Sequence, residues 1–168
     1  MSRACFPAHL TASTLVVDQT GDHVLLTLHA KARRWFQFGG HCEDGDLTLA
    51  DAALREAQEE SGIAELRLLP GPVQLDAHEV DFCHPDGTVT HLDVRYLAVA
   101  PAAARHATSE ESLDVRWWPI DELGSIEPAL EPTLLELAAL ARRAVGQSVS
   151  ASRSDSISSP AAAETPSR

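Results

Sequence analysis

The chain has 168 residues, 44% of them hydrophobic, which allows one domain with its own core and leaves no room for a second of ordinary size. Its 13 Lys and Arg stand against 25 Asp and Glu, and the formal net charge of -12 repels nucleic-acid backbones and anionic membrane surfaces; neither is expected as a partner, and an anionic ligand would need an accompanying cation. Three cysteines at irregular spacing exclude a disulfide framework, no signal-like apolar run opens the sequence, and none elsewhere approaches the roughly 20 residues of a membrane span, so a soluble cytoplasmic protein is expected.

Residues 9–18 (HLTASTLVVD) and 23–30 (HVLLTLHA) alternate apolar and polar positions with a β-branched bias, which predicts a hairpin about a turn at 19–22. Residues 35–40 (WFQFGG) read as a short strand entering a glycine loop. A helix is expected over 49–61, because Thr48 with Asp51 three residues on gives a capping-box-like start and Gly62 a stop. Residues 73–82 and 90–100 alternate again on either side of a turn at Pro85, Asp86 and Gly87, a second hairpin. Residues 112–120 (SLDVRWWPI) make a last strand, and Pro132 then opens an apolar helix through Leu134, Leu135, Leu137, Ala138 and Leu140 to Val145. From Gln147 onward the composition falls to Ser, Ala, Pro and Arg with almost nothing large to bury, so the domain is drawn at 1–146 and residues 147–168 as a disordered tail. Several strands, two helices and no internal repeat predict one compact unit of the α/β class.

The stretch from Gly39 to Gly62 is dense in carboxylates, and on the expected helix Glu56, Glu59 and Glu60 stand at i, i+3 and i+4, on one face. Arg55 lies four residues before Glu59 and can pair with it, but one guanidinium cannot neutralise three carboxylates. A hard divalent cation bound through oxygen would relieve the remaining repulsion, and a backbone carbonyl of the Gly39–Gly40 loop is close enough in sequence to contribute. Charge runs of this kind are otherwise solvated helix faces.

Pattern favours the cation. The segment resembles the box of the Nudix hydrolases, G-x5-E-x7-R-E-U-x-E-E-x-G-U with U aliphatic, beginning at Gly40 and ending in Arg55, Glu56, Ala57, Glu59, Glu60, Gly62 and Ile63. Two departures stand out: Asp46 occupies the position of the first Glu, and eight residues rather than seven separate it from Arg55. Placing the extra residue at Leu47, ahead of the Thr48 cap, leaves the register of the three glutamates intact. Phe38 also replaces the proline that many members carry before the paired glycines. Residues 110–123 (EESLDVRWWPIDEL) are similar to the family's last strand and turn, where a Glu ahead of the Trp reaches the metals or the attacking water; Glu111 is the match, with Glu110 as substitute.

The likeness covers about residues 9–145 and implies an α/β/α sandwich on a mixed β-sheet. It implies metal-dependent hydrolysis of a pyrophosphate bond in a nucleoside diphosphate linked to another group, with Mg2+, or Mn2+ in its place, as cofactor. On that reading Glu59, Glu60 and Gly40 hold metal, Glu56 is a ligand or the general base, Glu111 competes for the base role, and Arg55 orients the carboxylates. A small nucleotide-type substrate is the expected partner, and a homodimer is compatible with everything above.

Other residues are less specific. His41 with Cys42 and Cys83 with His84 invite a zinc reading, but neighbours on a strand point to opposite faces, which argues against either pair as a site. His78, His91, Asp93 and Arg95 lie on the second hairpin, and His78 and Arg95 are taken as candidate substrate contacts. Trp35, Trp117 and Trp118 serve either base stacking or core packing. Two rival functions remain: a Nudix-like nucleotide sensor without chemistry, which has no need of the retained Glu cluster, and an isopentenyl diphosphate isomerase-like enzyme, whose catalytic Cys sits in a context unlike Cys42 or Cys83.

Overall fold

The computed structural model describes residues 5–155, leaving aside the side chains of Phe82 and of residues 147–155. Two long strands form its centre, β1 (Ala8–Val17) and β7 (Gly87–Val99), which pair in parallel from Ala8 opposite Thr90 to Val17 opposite Val99. Both are rich in β-branched and apolar residues and buried along most of their inner length, as a strand covered on both faces should be.

The other strands dock antiparallel on this pair. β2 (His23–His29) joins β1 only at Val16 and Val17, then diverges. Residues 35–41 fill the wedge between them: β3 (Trp35–Phe36) pairs with β2, and β4 (Phe38–His41) pairs with β1 from Thr14 to Thr11. The sequence predicts a single strand here, but the segment changes partner at Gln37. On the far edge of β7 lie β5 (Arg67–Leu68) and β6 (Gln74–His84), and β8 (Ser112–Pro119) closes the other side along β2.

Strand alternation divides the core between two helices. α1 (Leu49–Ser61) packs Ala52 and Ala53 against Ala12, and Ala57 shares a cluster with Val16, Leu25 and Phe38. α2 (Pro132–Asp155) buries Leu134, Leu137, Ala138 and Ala141 on the opposite face, against Leu15, Val17, Leu97 and Val99. Leu137 is fully buried, and truncating such a residue to Ala costs about 2–5 kcal/mol. The arrangement is the expected α/β/α sandwich on a mixed sheet. β5 and the short 3-10 helix Ile120–Ser125 were not predicted, and α2 continues to Asp155, past the Gly146 boundary drawn from composition. The rest of the expected tail, 156–168, lies outside the described residues. Among the described residues no helix is long and apolar enough to cross a membrane.

Candidate active site

The phase of α1 is set at both ends. The Thr48 hydroxyl accepts from the Asp51 N–H at 3.1 Å while the Asp51 carboxylate accepts from the Thr48 N–H at 2.9 Å, and Gly62 closes the helix in the left-handed region at φ 71. Small residues on the buried side let the helix lie close to the sheet, where the Thr14 hydroxyl donates to the Ala53 carbonyl at 2.9 Å. Glu56, Glu59 and Glu60 are thereby held at the wedge where residues 35–41 enter the sheet.

Arg55 organises the surrounding acids. Its Nε and one terminal nitrogen donate to the two oxygens of Asp46 at 3.1 and 2.9 Å, and the same terminal nitrogen reaches the His41 carbonyl at 3.0 Å. The other terminal nitrogen donates to Glu56 at 3.1 Å and to Glu59 at 3.2 Å, the latter being the expected i, i+4 pair. Hydrogen bonds from Arg55, with that from Glu43, hold the Asp46 carboxyl below the usual carboxylate range. The departure at this position is therefore absorbed: the Glu43 N–H donates to Asp46 at 2.8 Å, the Asp46 N–H to the Glu43 carbonyl at 3.0 Å, and this turn delivers the shorter side chain to the arginine. Leu47, the assigned extra residue, is 91% exposed and precedes the cap as placed.

The paired glycines are required by proximity. A Cβ on Gly40 would stand 2.5 Å from a Glu56 carboxylate oxygen, and one on Gly39 would strike the Ser13 and Ala12 backbone. Burial, then Glu56 and Glu111, push the Glu60 pKa up to about 8 against the pull of the Gly39 backbone. Burial also raises Glu56, opposed by Arg55. Glu111 acts on both from the loop before β8, where its carbonyl accepts from the Ala30 N–H at 2.9 Å. Arg55 thus joins Glu56 and Glu59, the Gly40 backbone lies against Glu56, and Glu60 and Glu111 are near enough to act electrostatically on Glu56. An all-oxygen set of crowded carboxylates, partly withdrawn from water, fits a hard divalent cation.

The NUDIX domain family profile matches residues 7–140. The chain belongs to the Nudix family. Among solved structures, a NUDIX-family hydrolase from Clostridium perfringens superposes with a TM-score of 0.66 at 24% identity, covering 82% of this chain and 97% of that one. The dihydroneopterin triphosphate pyrophosphohydrolase of E. coli gives 0.63 at 17% identity, over 77% and 91% of the two chains. The NUDIX domain of Shewanella oneidensis NrtR, solved with ADP ribose, gives 0.58 at 21%, over 85% and 92%. These likenesses are of fold. No curated protein sequence matches the chain.

His78 and Arg95 share no contact with the glutamates of this Nudix site among the described residues. Arg95 is buried and donates to Asp93 at 2.9 Å, Gln74 at 3.0 Å and Asp76 at 2.8 Å, while His78 pairs with Asp76 at 2.8 Å. Ser13 and Gln37 join this polar network through Asp93. Trp35 is core, edge-on to Trp118 at 5.4 Å, and Trp117 packs on the α1 side. Sequence reasoning missed one convergence altogether: His9, His41, Cys83 and His91 present donor atoms all within 4.8 Å of one another. The adjacency argument holds for each neighbouring pair, since Cys42 and His84 stay out of the group, but it cannot see residues gathered across strands. The available signal was register, which sets His9 opposite His91.

Proposed function

We propose that this Nudix protein is a divalent-metal-dependent pyrophosphohydrolase acting on a nucleoside diphosphate linked to another group. The observation that carries the reading is the convergence of Glu56, Glu59, Glu60 and Glu111 beside Gly40, with Arg55 fixing the first two. Glu56, Glu59, Glu60 and the Gly40 carbonyl would hold Mg2+, with Mn2+ as substitute. When bound, the ion supplies charge neutralisation at the phosphate oxygens and Lewis-acid polarisation.

The chain's own contribution is positioning and proton handling. Arg55 keeps Glu56 and Glu59 in one orientation and anchors itself on Asp46 and the His41 carbonyl. Glu56 has an oxygen committed to Arg55, whereas the exposed Glu111 side chain has no hydrogen bond or ion pair among the described residues. Glu111 is therefore the better placed group to take a proton from the attacking water, with Glu56 as ligand. Arg95, with its donors consumed internally, is a weaker substrate contact than its charge suggests, and His78 lies beside it.

A panel of nucleoside diphosphate sugars, dinucleoside polyphosphates and nucleoside triphosphates, assayed for phosphate or nucleotide release with Mg2+ and with EDTA, tests the reading. Release from at least one member, abolished by EDTA, is expected. Tight nucleotide binding without turnover across the panel would instead establish the sensor reading.

A further inference from the structure

Apart from the carboxylates, four side chains from four strands meet at one point: His9 on β1, His41 on β4, Cys83 on β6 and His91 on β7. His9 Nε2 lies 2.9 Å from His41 Nε2, and Cys83 Sγ lies 3.4 Å from His41 Nε2 and 3.6 Å from His9 Nε2. Donors on a tetrahedral zinc, at about 2.0–2.1 Å for nitrogen and 2.3 Å for sulfur, stand roughly 3.3–3.6 Å from one another. The group is already near that spacing.

Orientation supports the same conclusion. His9 is fully buried, and its Nδ1 lies 3.0 Å from the Cys5 carbonyl. A carbonyl only accepts, so Nδ1 carries the proton and Nε2 turns a lone pair toward the group, as the outer partner of a metal-bound histidine arranges it. His91 Nε2 is buried with no hydrogen-bond partner among the described residues, and a hydrogen bond between His9 and His41 leaves it unserved.

We infer that His9, His41, Cys83 and His91 form a closed structural zinc site that ties β1, β4 and the β6–β7 hairpin together. Three imidazoles and a thiolate suit zinc rather than the hard cation of the carboxylate site, and four protein donors leave no open position. This inference does not depend on the hydrolytic reading.

The test uses the full chain, stripped with EDTA, reloaded with Zn2+ and desalted. Retention of about one zinc per chain and a rise in melting temperature of roughly 5 °C or more are expected. Loading with Co2+ should give a thiolate-to-metal absorption that Cys83→Ser abolishes, while Cys5→Ser, Cys42→Ser and Glu60→Gln keep it; His91→Gln should lose the zinc. If Cys83→Ser or His91→Gln does not fold, the wild-type cobalt spectrum and the two other cysteine variants carry the decision. A wild-type protein that retains no zinc, or shows no thiolate absorption with cobalt, overturns the inference. So does full absorption in Cys83→Ser.

Discussion

Glu56, Glu59 and Glu60 occupy little more than one turn of a single helix, whereas His9, His41, Cys83 and His91 are drawn from four strands. The first group is acidic, crowded and open at its edge, with Glu59 exposed and Glu60 pushed up to about 8. The second is built of three imidazoles and a thiol, with His9 fully buried. An open set of mutually repelling carboxylates suits an exchangeable ion that meets substrate. A set anchored on the buried His9 ring, already aimed by the Cys5 carbonyl, suits an ion that stays.

The largest expected separation between the two comes from Glu60→Gln. Losing a hard anionic ligand should lower turnover by orders of magnitude while the fold and any bound zinc survive. Turnover within about threefold of wild type, on the order of 0.7 kcal/mol of barrier, would remove Glu60 from the ligand set. A smaller effect is expected from Asp46→Asn, which weakens the two-pronged anchor of Arg55. Roughly 1–2 kcal/mol of stability and about tenfold to a hundredfold in kcat should be lost, with Mg2+ affinity less affected. An unchanged kcat would show that Arg55 holds Glu56 and Glu59 without help from the loop.

These contrasts also explain what could be read from the sequence. α1 has the bounds expected, 49–61, because Thr48, Asp51 and Gly62 fix its ends locally and its face follows from the helical period. The carboxylate site inherits that legibility. β3 and β4 were predicted as one strand because nothing in WFQFGG announces that the chain changes partner at Gln37. β5 pairs through only Arg67 and Leu68, too short for a period to show. The His and Cys group depends on the parallel register of β1 with β7 and the antiparallel register of β4 with β1, neither of which is visible in any one segment.

The pH dependence of the metal-free protein should carry both sites in its two limbs. Glu60 rises from an ordinary 4.5 to about 8 in the folded chain, so between those values the folded state holds the extra proton and stability falls as pH rises. His91 drops from 6.5 to about 4, so between those values the unfolded chain holds the extra proton and stability falls as pH falls. The two windows overlap between 4.5 and 6.5, where the opposing terms offset each other, so thermal melts from pH 4 to 8.5 should show a broad maximum there and a fall above it of a few degrees per pH unit. Glu60→Gln should flatten the fall above 6.5 and leave the rise set by His91 uncovered up to that value. If the substitution leaves that fall unchanged, other groups set it and the crowding of Glu60 by Glu56 and Glu111 is weaker than the geometry implies.

The smallest effect is expected at Leu47, where the chain departs from the spacing of the box it resembles. Leu47→Ser should change neither stability nor turnover measurably, since the side chain is 91% exposed. Deleting the residue is different, because the 43–46 turn must then be drawn toward the Thr48 cap and the Asp46 carboxylate moves off Arg55. The cap itself, and with it the Glu face, stays in register, so the melt should remain cooperative and Mg2+ affinity near normal while kcat falls by roughly tenfold. Asp46 is one methylene shorter than the Glu of the family pattern, and compensation by the extra residue is testable. Combining the deletion with Asp46→Glu should then restore kcat to within about threefold of wild type, a coupling that neither change made alone would show. A double variant no better than the deletion would mean that Leu47 and Asp46 are independent departures.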